Sequence, residues 1–149
     1  MDCSEQILAI AARNIHSYKN LLAPRNNRLD LVQSDLFSAI DFPAKLDFIV
    51  SNPPYIPSDK IADLQTEVSL FEPRTALDGG KDGLFFYRYL LDATPGMLKR
   101  DGKMILEIGF DQQPALTKLQ NRFPAWKFSN FHPDLQGNVR VWILGKELN

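Results

Sequence analysis

Ser51-Asn52-Pro53-Pro54-Tyr55 is the string in this 149-residue sequence with the most specific chemistry. It directly follows an apolar run, Leu46-Asp47-Phe48-Ile49-Val50, that reads as a buried strand. Asn52 offers a side-chain carbonyl, and a backbone stiffened by two prolines offers the Pro53 carbonyl beside it. Together these acceptors can hold both N–H groups of a planar NH2. The lone pair of an amide or conjugated amine is delocalised, so it must be aimed at its electrophile. A methyl group on a sulfonium is already activated and needs alignment above all. Positioning of this kind replaces much of the entropic barrier of a two-substrate displacement. Tyr55 can stack on a planar substrate or face a cationic methyl donor. A plain strand terminator is the simpler use of Pro53-Pro54, but the placement after a buried strand favours the chemical use.

The elements that must position this string follow from periodicity. Ile7, Leu8, Ala11 and Ile15 recur at helical spacing behind Ser4, which is placed to cap, and Pro24 lies beyond the end. Residues 29–33 read as a short strand, and residues 104–108 as a buried strand opened by the turn residues Asp101-Gly102. The spacing predicts helices over residues 83–98 and 112–121. Strands are expected at residues 126–128 and 139–144, joined by a loop with Pro133 and Gly137, and an antiparallel pair is the economical arrangement. Upstream, strands alternate with helices, which predicts a mainly parallel α/β sheet with ligands at the carboxyl ends of its strands. The stretch from Asn52 to about Asp82 leaves one such end and is longer than ordinary connections.

Composition narrows the classes. Apolar residues make up 44% and charged residues 23%, with a formal net charge of −1, which describes a soluble globular chain sufficient for one domain. Lys and Arg number 17 against 18 Asp and Glu, interspersed, so a nucleic-acid partner is disfavoured. Cys3 is the only cysteine, which excludes an intrachain disulfide and a thiolate zinc cluster. The two histidines, His16 in the first helix and His132 in a loop, stand apart from any ligand-spaced cluster, so no metal is expected. No apolar run has the length of a bilayer span and no secretory leader is visible, so the expected location is the cytoplasm, with no membrane partner.

Several strings together resemble the HemK or PrmC type of protein N-glutamine methyltransferase, which acts on the Gly-Gly-Gln motif of peptide-chain release factors. They are Asp2-Cys3-Ser4-Glu5, Ser34-Asp35-Leu36-Phe37, the Asn-Pro-Pro-Tyr string, Glu72-Pro73-Arg74-Thr75-Ala76-Leu77-Asp78-Gly79-Gly80 with Asp82-Gly83-Leu84, and Leu106-Glu107-Ile108-Gly109. Asn-Pro-Pro-Tyr alone is shared with adenine-N6 nucleic-acid methyltransferases; the string from Glu72 to Gly80 resembles the glutamine branch. The resemblance implies a Rossmann-like class I sheet, S-adenosyl-L-methionine as cofactor and a release factor as protein substrate. It implies that Asp2 holds the cofactor ribose, that Asp35 and Leu36 lie at the adenine, and that Asn52, Pro53, Pro54 and Tyr55 bind the substrate amide, Asn52 also facing the cofactor. Taken alone, Asp2 reads as an acid flanking a helix, Asp35 as a turn residue, and Gly79-Gly80 with Gly83 as a turn.

The chain departs from that family at its N-terminal side, where only Met1 precedes Asp2. Family members carry there a first strand and a glycine-rich turn that lets the backbone approach the methionine part of the cofactor. The expectation is therefore a partial catalytic domain over residues 1–149, its sheet incomplete at the N-terminal side. The strand at residues 46–50 would then expose an edge and invite self-association. Two other functions fit parts of the sequence: an adenine-N6 nucleic-acid methyltransferase, and a non-catalytic fragment that binds a partner chain.

Overall fold

A computed structural model describes residues 1–22, 28–39, 45–65 and 72–147. The chain forms two compact units, Met1–Pro43 and Ala44–Asn149. In the first, helix α1 spans Glu5–Leu22. Ser4 caps it, its hydroxyl oxygen accepting the Ile7 N–H at 3.3 Å. The strand expected at residues 29–33 reduces to one parallel bridge, Gln33 with Asp2. The reason is the length of its partner: Asp2 donates to the Val32 carbonyl and accepts from the Ser34 N–H, and at Ser4 the chain already turns into α1.

The second unit is built on a four-stranded sheet in the order β1-β2-β4-β3, with β1 at Leu46–Ser51, β2 at Leu98–Glu107, β3 at Phe128–Pro133 and β4 at Val139–Gly145. β1 and β2 are parallel; β4 is antiparallel to both β2 and β3. Three strands therefore run one way and β4 alone runs back between β2 and β3. The α/β reading, the parallel pairing of the two upstream strands and the terminal antiparallel pair hold in this unit, but the sheet is mixed, with one parallel and two antiparallel pairings, where a mainly parallel one was expected. Among the described residues this unit carries three α-helices, α2 at Arg74–Leu77, α3 at Phe85–Ala93 and α4 at Gln113–Gln120, and a short 3-10 helix at Ile61–Asp63.

Alternation along the strands selects one face for the core. Met104 and Leu106 of β2 pair in register with Leu144 and Trp142 of β4, and all four are fully buried. α3 packs on that face: the Thr94 hydroxyl reaches the Met104 sulfur at 3.4 Å, and the Tyr87 and Trp142 rings meet edge to face at 6.3 Å. Burial of each such side chain contributes about 1.5–3 kcal/mol. Phe48 and Val50 of β1 point to the other face and stay 63% and 73% exposed, while Ile49 between them is buried.

Several boundaries differ from the sequence reading. β2 begins at Leu98, and Asp101-Gly102 lie within it where its register against β1 shifts. Gly102 permits this because a Cβ there would stand 2.9 Å from the Leu46 carbonyl oxygen. α3 stops at Ala93, as Pro95 and Gly96 break the turn that follows. β3 begins at Phe128 instead of Trp126. Trp126 is buried instead as an anchor, its indole N–H donating to the Leu91 carbonyl at 2.9 Å. His132 lies in β3 opposite Val141, not in a loop.

Candidate functional site

The Asn-Pro-Pro-Tyr string leaves the carboxyl end of β1 immediately after Ser51. Pro53 is buried, Pro54 and Tyr55 are half-buried, and Asn52 is exposed. Residues 52–56 form one wall of a cleft of about 420 Å³, and Glu72, Ala76 and Leu77 form the other. The walls are stitched by backbone bonds: Ile56 donates to Leu77 at 3.0 Å and Gly79 donates to Ile56 at 2.8 Å, a single parallel bridge. Asp78 tightens the same corner. It accepts from the Ser58 hydroxyl at 2.6 Å, the Gly80 N–H at 2.9 Å and Arg74 Nε at 3.1 Å, and these bonds, Ser58 first, hold its carboxyl below the ordinary aspartate value. Arg74 is thus partnered by Asp78.

The Gly79-Gly80 and Gly83 segment is a turn, and its glycines are required by the string it wraps. Gly83 has φ +70°, and a Cβ there would overlap the Tyr55 carbonyl oxygen. At Gly79 a Cβ would stand 2.7 Å from the Tyr55 Cα.

The Tyr55 phenol lies within electrostatic reach of Glu107 at the end of β2 and Arg140 at the start of β4. Burial raises its pKa above the ordinary tyrosine value; Glu107 adds to the rise and Arg140 opposes it. Arg140 lies 5.8 Å from the centroid of the Phe110 ring and 3.8 Å from Asp134. The Tyr55 carbonyl accepts from Gln112 Nε2 at 3.0 Å. The Tyr87 hydroxyl, fully buried beside this group, donates to the Glu107 carbonyl at 2.8 Å, and desolvation pushes its pKa far up.

In the first unit the positions expected at a cofactor come together. The Asp2–Gln33 bridge and the Ser34 N–H to Asp2 carbonyl bond, at 3.0 Å, set Asp2 beside the segment that carries Asp35 and Leu36. One Asp2 carboxylate oxygen accepts the Ser4 N–H at 2.8 Å, the helix-flanking use. A carboxylate has further lone pairs, so acceptance from a ribose diol remains compatible with it. Leu36 is half-buried at φ +50°, a left-handed conformation that costs energy for a branched side chain, and such strain gathers at functional sites.

Sequence reasoning missed four residues that frame the string: Tyr87, Glu107, Gln112 and Arg140. Glu107 lies in a recognised string but had no role, and Gln112 was legible only as the start of a helix. Arg140 carried no local signal, because β4 pairing alone brings it to Tyr55.

The second unit is therefore an α/β sheet with its polar constellation at the carboxyl ends of two adjacent parallel strands, the usual ligand edge of that class. The chain is similar in sequence to release factor glutamine methyltransferases. It is 39% identical over 140 residues to the release factor glutamine methyltransferase of Cereibacter sphaeroides, covering 94% of this chain and 48% of that protein. That of Moorella thermoacetica is 40% identical over 116 residues (78% and 40% covered), and that of Enterococcus faecalis is 34% identical over 144 residues (96% and 49%). The chain thus spans about half the length of these relatives. A solved protein-(glutamine-N5) methyltransferase (release factor-specific) from Alicyclobacillus acidocaldarius shares 27% identity at a TM-score of 0.42, covering 67% of this chain and 48% of that one. No family model matches the chain. Among the described residues no helix is long and apolar enough to cross a membrane.

Proposed function

We propose that this chain is part of an S-adenosyl-L-methionine-dependent methyltransferase domain acting on the side-chain amide of the Gly-Gly-Gln glutamine of a release factor. The observation that carries the reading is the exposed Asn52 at the mouth of the cleft, on a proline-stiffened backbone whose next anchored residue is Tyr55. The Asn52 side-chain carbonyl and the Pro53 main-chain carbonyl accept the two N–H groups of the substrate amide and fix its plane. The buried Pro53 keeps the second acceptor from moving. Tyr55, half-buried beside Glu107 and Arg140, offers its ring to a planar or cationic group. Asp2 accepts from the ribose hydroxyls, with Asp35 and Leu36 at the adenine, and the cofactor supplies an activated methyl group. Glu72 on the opposite wall faces the protein substrate. Within this reading the protein works in the cytoplasm. The edge of β1, unpaired among the described residues, pairs with a second copy.

The test is a chimaera in which these residues replace the matching stretch of a full-length relative. It is expected to methylate a release factor bearing Gly-Gly-Gln and to leave double-stranded DNA unlabelled. Asn52→Ala is expected to lower turnover by about a hundredfold or more while cofactor affinity by calorimetry stays within a factor of about two. Preferential labelling of DNA would favour the adenine-N6 reading, and unchanged turnover would remove Asn52 from the mechanism.

A further inference from the structure

Gln112 is 9% exposed, and its side-chain amide makes four contacts. Nε2 donates to the Tyr55 carbonyl at 3.0 Å and to the Gly83 carbonyl at 3.2 Å. Oε1 accepts from the Gly109 N–H at 2.9 Å and lies 3.4 Å from the Tyr87 hydroxyl. That uses both donors of the amide and one of its acceptor positions, since the single Tyr87 proton is given to the Glu107 carbonyl. The three carbonyl and amide partners belong to three separate segments: the one after β1, the Gly79 to Gly83 turn, and the one after β2. Gln112 itself is rooted, its backbone N–H donating to Gly109 at 3.0 Å and its carbonyl accepting from Leu116 of α4 at 2.9 Å.

We propose that Gln112 is the positioning residue of the Asn-Pro-Pro-Tyr string, acting as a clasp that sets where the Pro53 carbonyl and the Asn52 side chain stand. The inference rests on the methyl-transfer reading for its catalytic consequence, but the clasp itself is a matter of geometry. Prolines 53 and 54 have fixed φ, so little backbone freedom separates the Tyr55 carbonyl from Asn52. Anchoring the carbonyl at one end therefore fixes the acceptors at the other. The contact is close because Gly83 has no side chain: a Cβ there would stand 2.9 Å from Gln112 Nε2. A buried amide whose two donors and one acceptor are paired across three segments rigidifies what it joins, and losing those bonds loosens it.

Two substitutions separate the clasp from general stability. Gln112→Glu keeps an acceptor for Gly109 and sets a carboxylate against two carbonyls; Gln112→Met keeps the size and removes every polar contact. In the 149-residue chain, amide hydrogen exchange at Ile56 and Gly79 is expected to lose protection at least tenfold in both variants. The β2–β4 ladder should stay within about twofold. In Gln112→Glu the lost protection returns as pH falls and the carboxyl regains a proton to donate, which Gln112→Met cannot reproduce. In the chimaera, Gln112→Glu lowers kcat about ten- to a hundredfold with KM for the methyl donor unchanged, and Gln136→Glu in the exposed β3–β4 turn has no effect. Unchanged protection at Ile56 and Gly79, loss in parallel with the ladder, or lost protection with unaltered kcat would each overturn the proposal. A chimaera that labels no glutamine before any substitution defeats the methyl-transfer reading instead, and the exchange results then decide the clasp alone.

Discussion

At the scale of residues, the polar groups around Tyr55 make a prediction about alkaline stability. Tyr87 and Tyr55 both have folded pKa values raised above the ordinary tyrosine value, chiefly by desolvation. The folded state therefore keeps these protons where the unfolded chain releases them. Their contribution is fully present below about pH 10 and is lost as pH rises toward the folded values. Urea unfolding is expected to show this alkaline fall, and Tyr87→Phe should make it shallower. At neutral pH the same substitution costs about 1–2 kcal/mol, because the Glu107 carbonyl loses the hydroxyl that donates to it at 2.8 Å. An alkaline limb of equal steepness in both proteins would place the titrating group elsewhere.

At the scale of elements, β1 has one buried and one bare face, and its substitutions should sort accordingly. Ile49 is 7% exposed between Phe48 and Val50, which are mostly in solvent. Ile49→Ala is expected to cost about 2–4 kcal/mol through lost burial and the cavity left behind, whereas Val50→Thr should stay within about 0.5 kcal/mol. Chemical denaturation of the two variants checks this, and equal losses would mean that the bare face is covered in solution. The β2-α4-β3 succession shows how an element can be read correctly without its neighbours. α4 carries the chain from β2 to β3, which runs in the same direction, and β4 then fills the space between them. The antiparallel pair was visible in the sequence. That β4, and not β3, would lie against β2 was not.

At the scale of the molecule, β1 is an edge strand of the sheet among the described residues, and it is one with two large apolar side chains exposed. Unpaired edges of that kind template pairing with another chain. Sedimentation velocity of the 149-residue chain is expected to show reversible, concentration-dependent self-association, and Val50→Lys should suppress it by placing a charge on the edge. A monomer at every concentration would show that the edge is protected. The sequence by itself determined much of this protein. Apolar alternation and Gly, Pro and Asn punctuation act locally, so residues 46–50 and 139–144, the three longer helices and the Asn-Pro-Pro-Tyr string could all be read one segment at a time. What only the tertiary structure decided is what depends on residues far apart in the chain. Residues 29–33 have the composition of a strand, but among the described residues only Asp2 pairs with them. Trp126 looks like strand and is a core anchor. Glu107, Gln112 and Arg140 converge on Tyr55 from three elements, because the β1–β2–β4 order brings their ends side by side. No spacing in the sequence encodes that meeting, since side-chain hydrogen bonds between distant segments exist only once the backbone has been paired and packed.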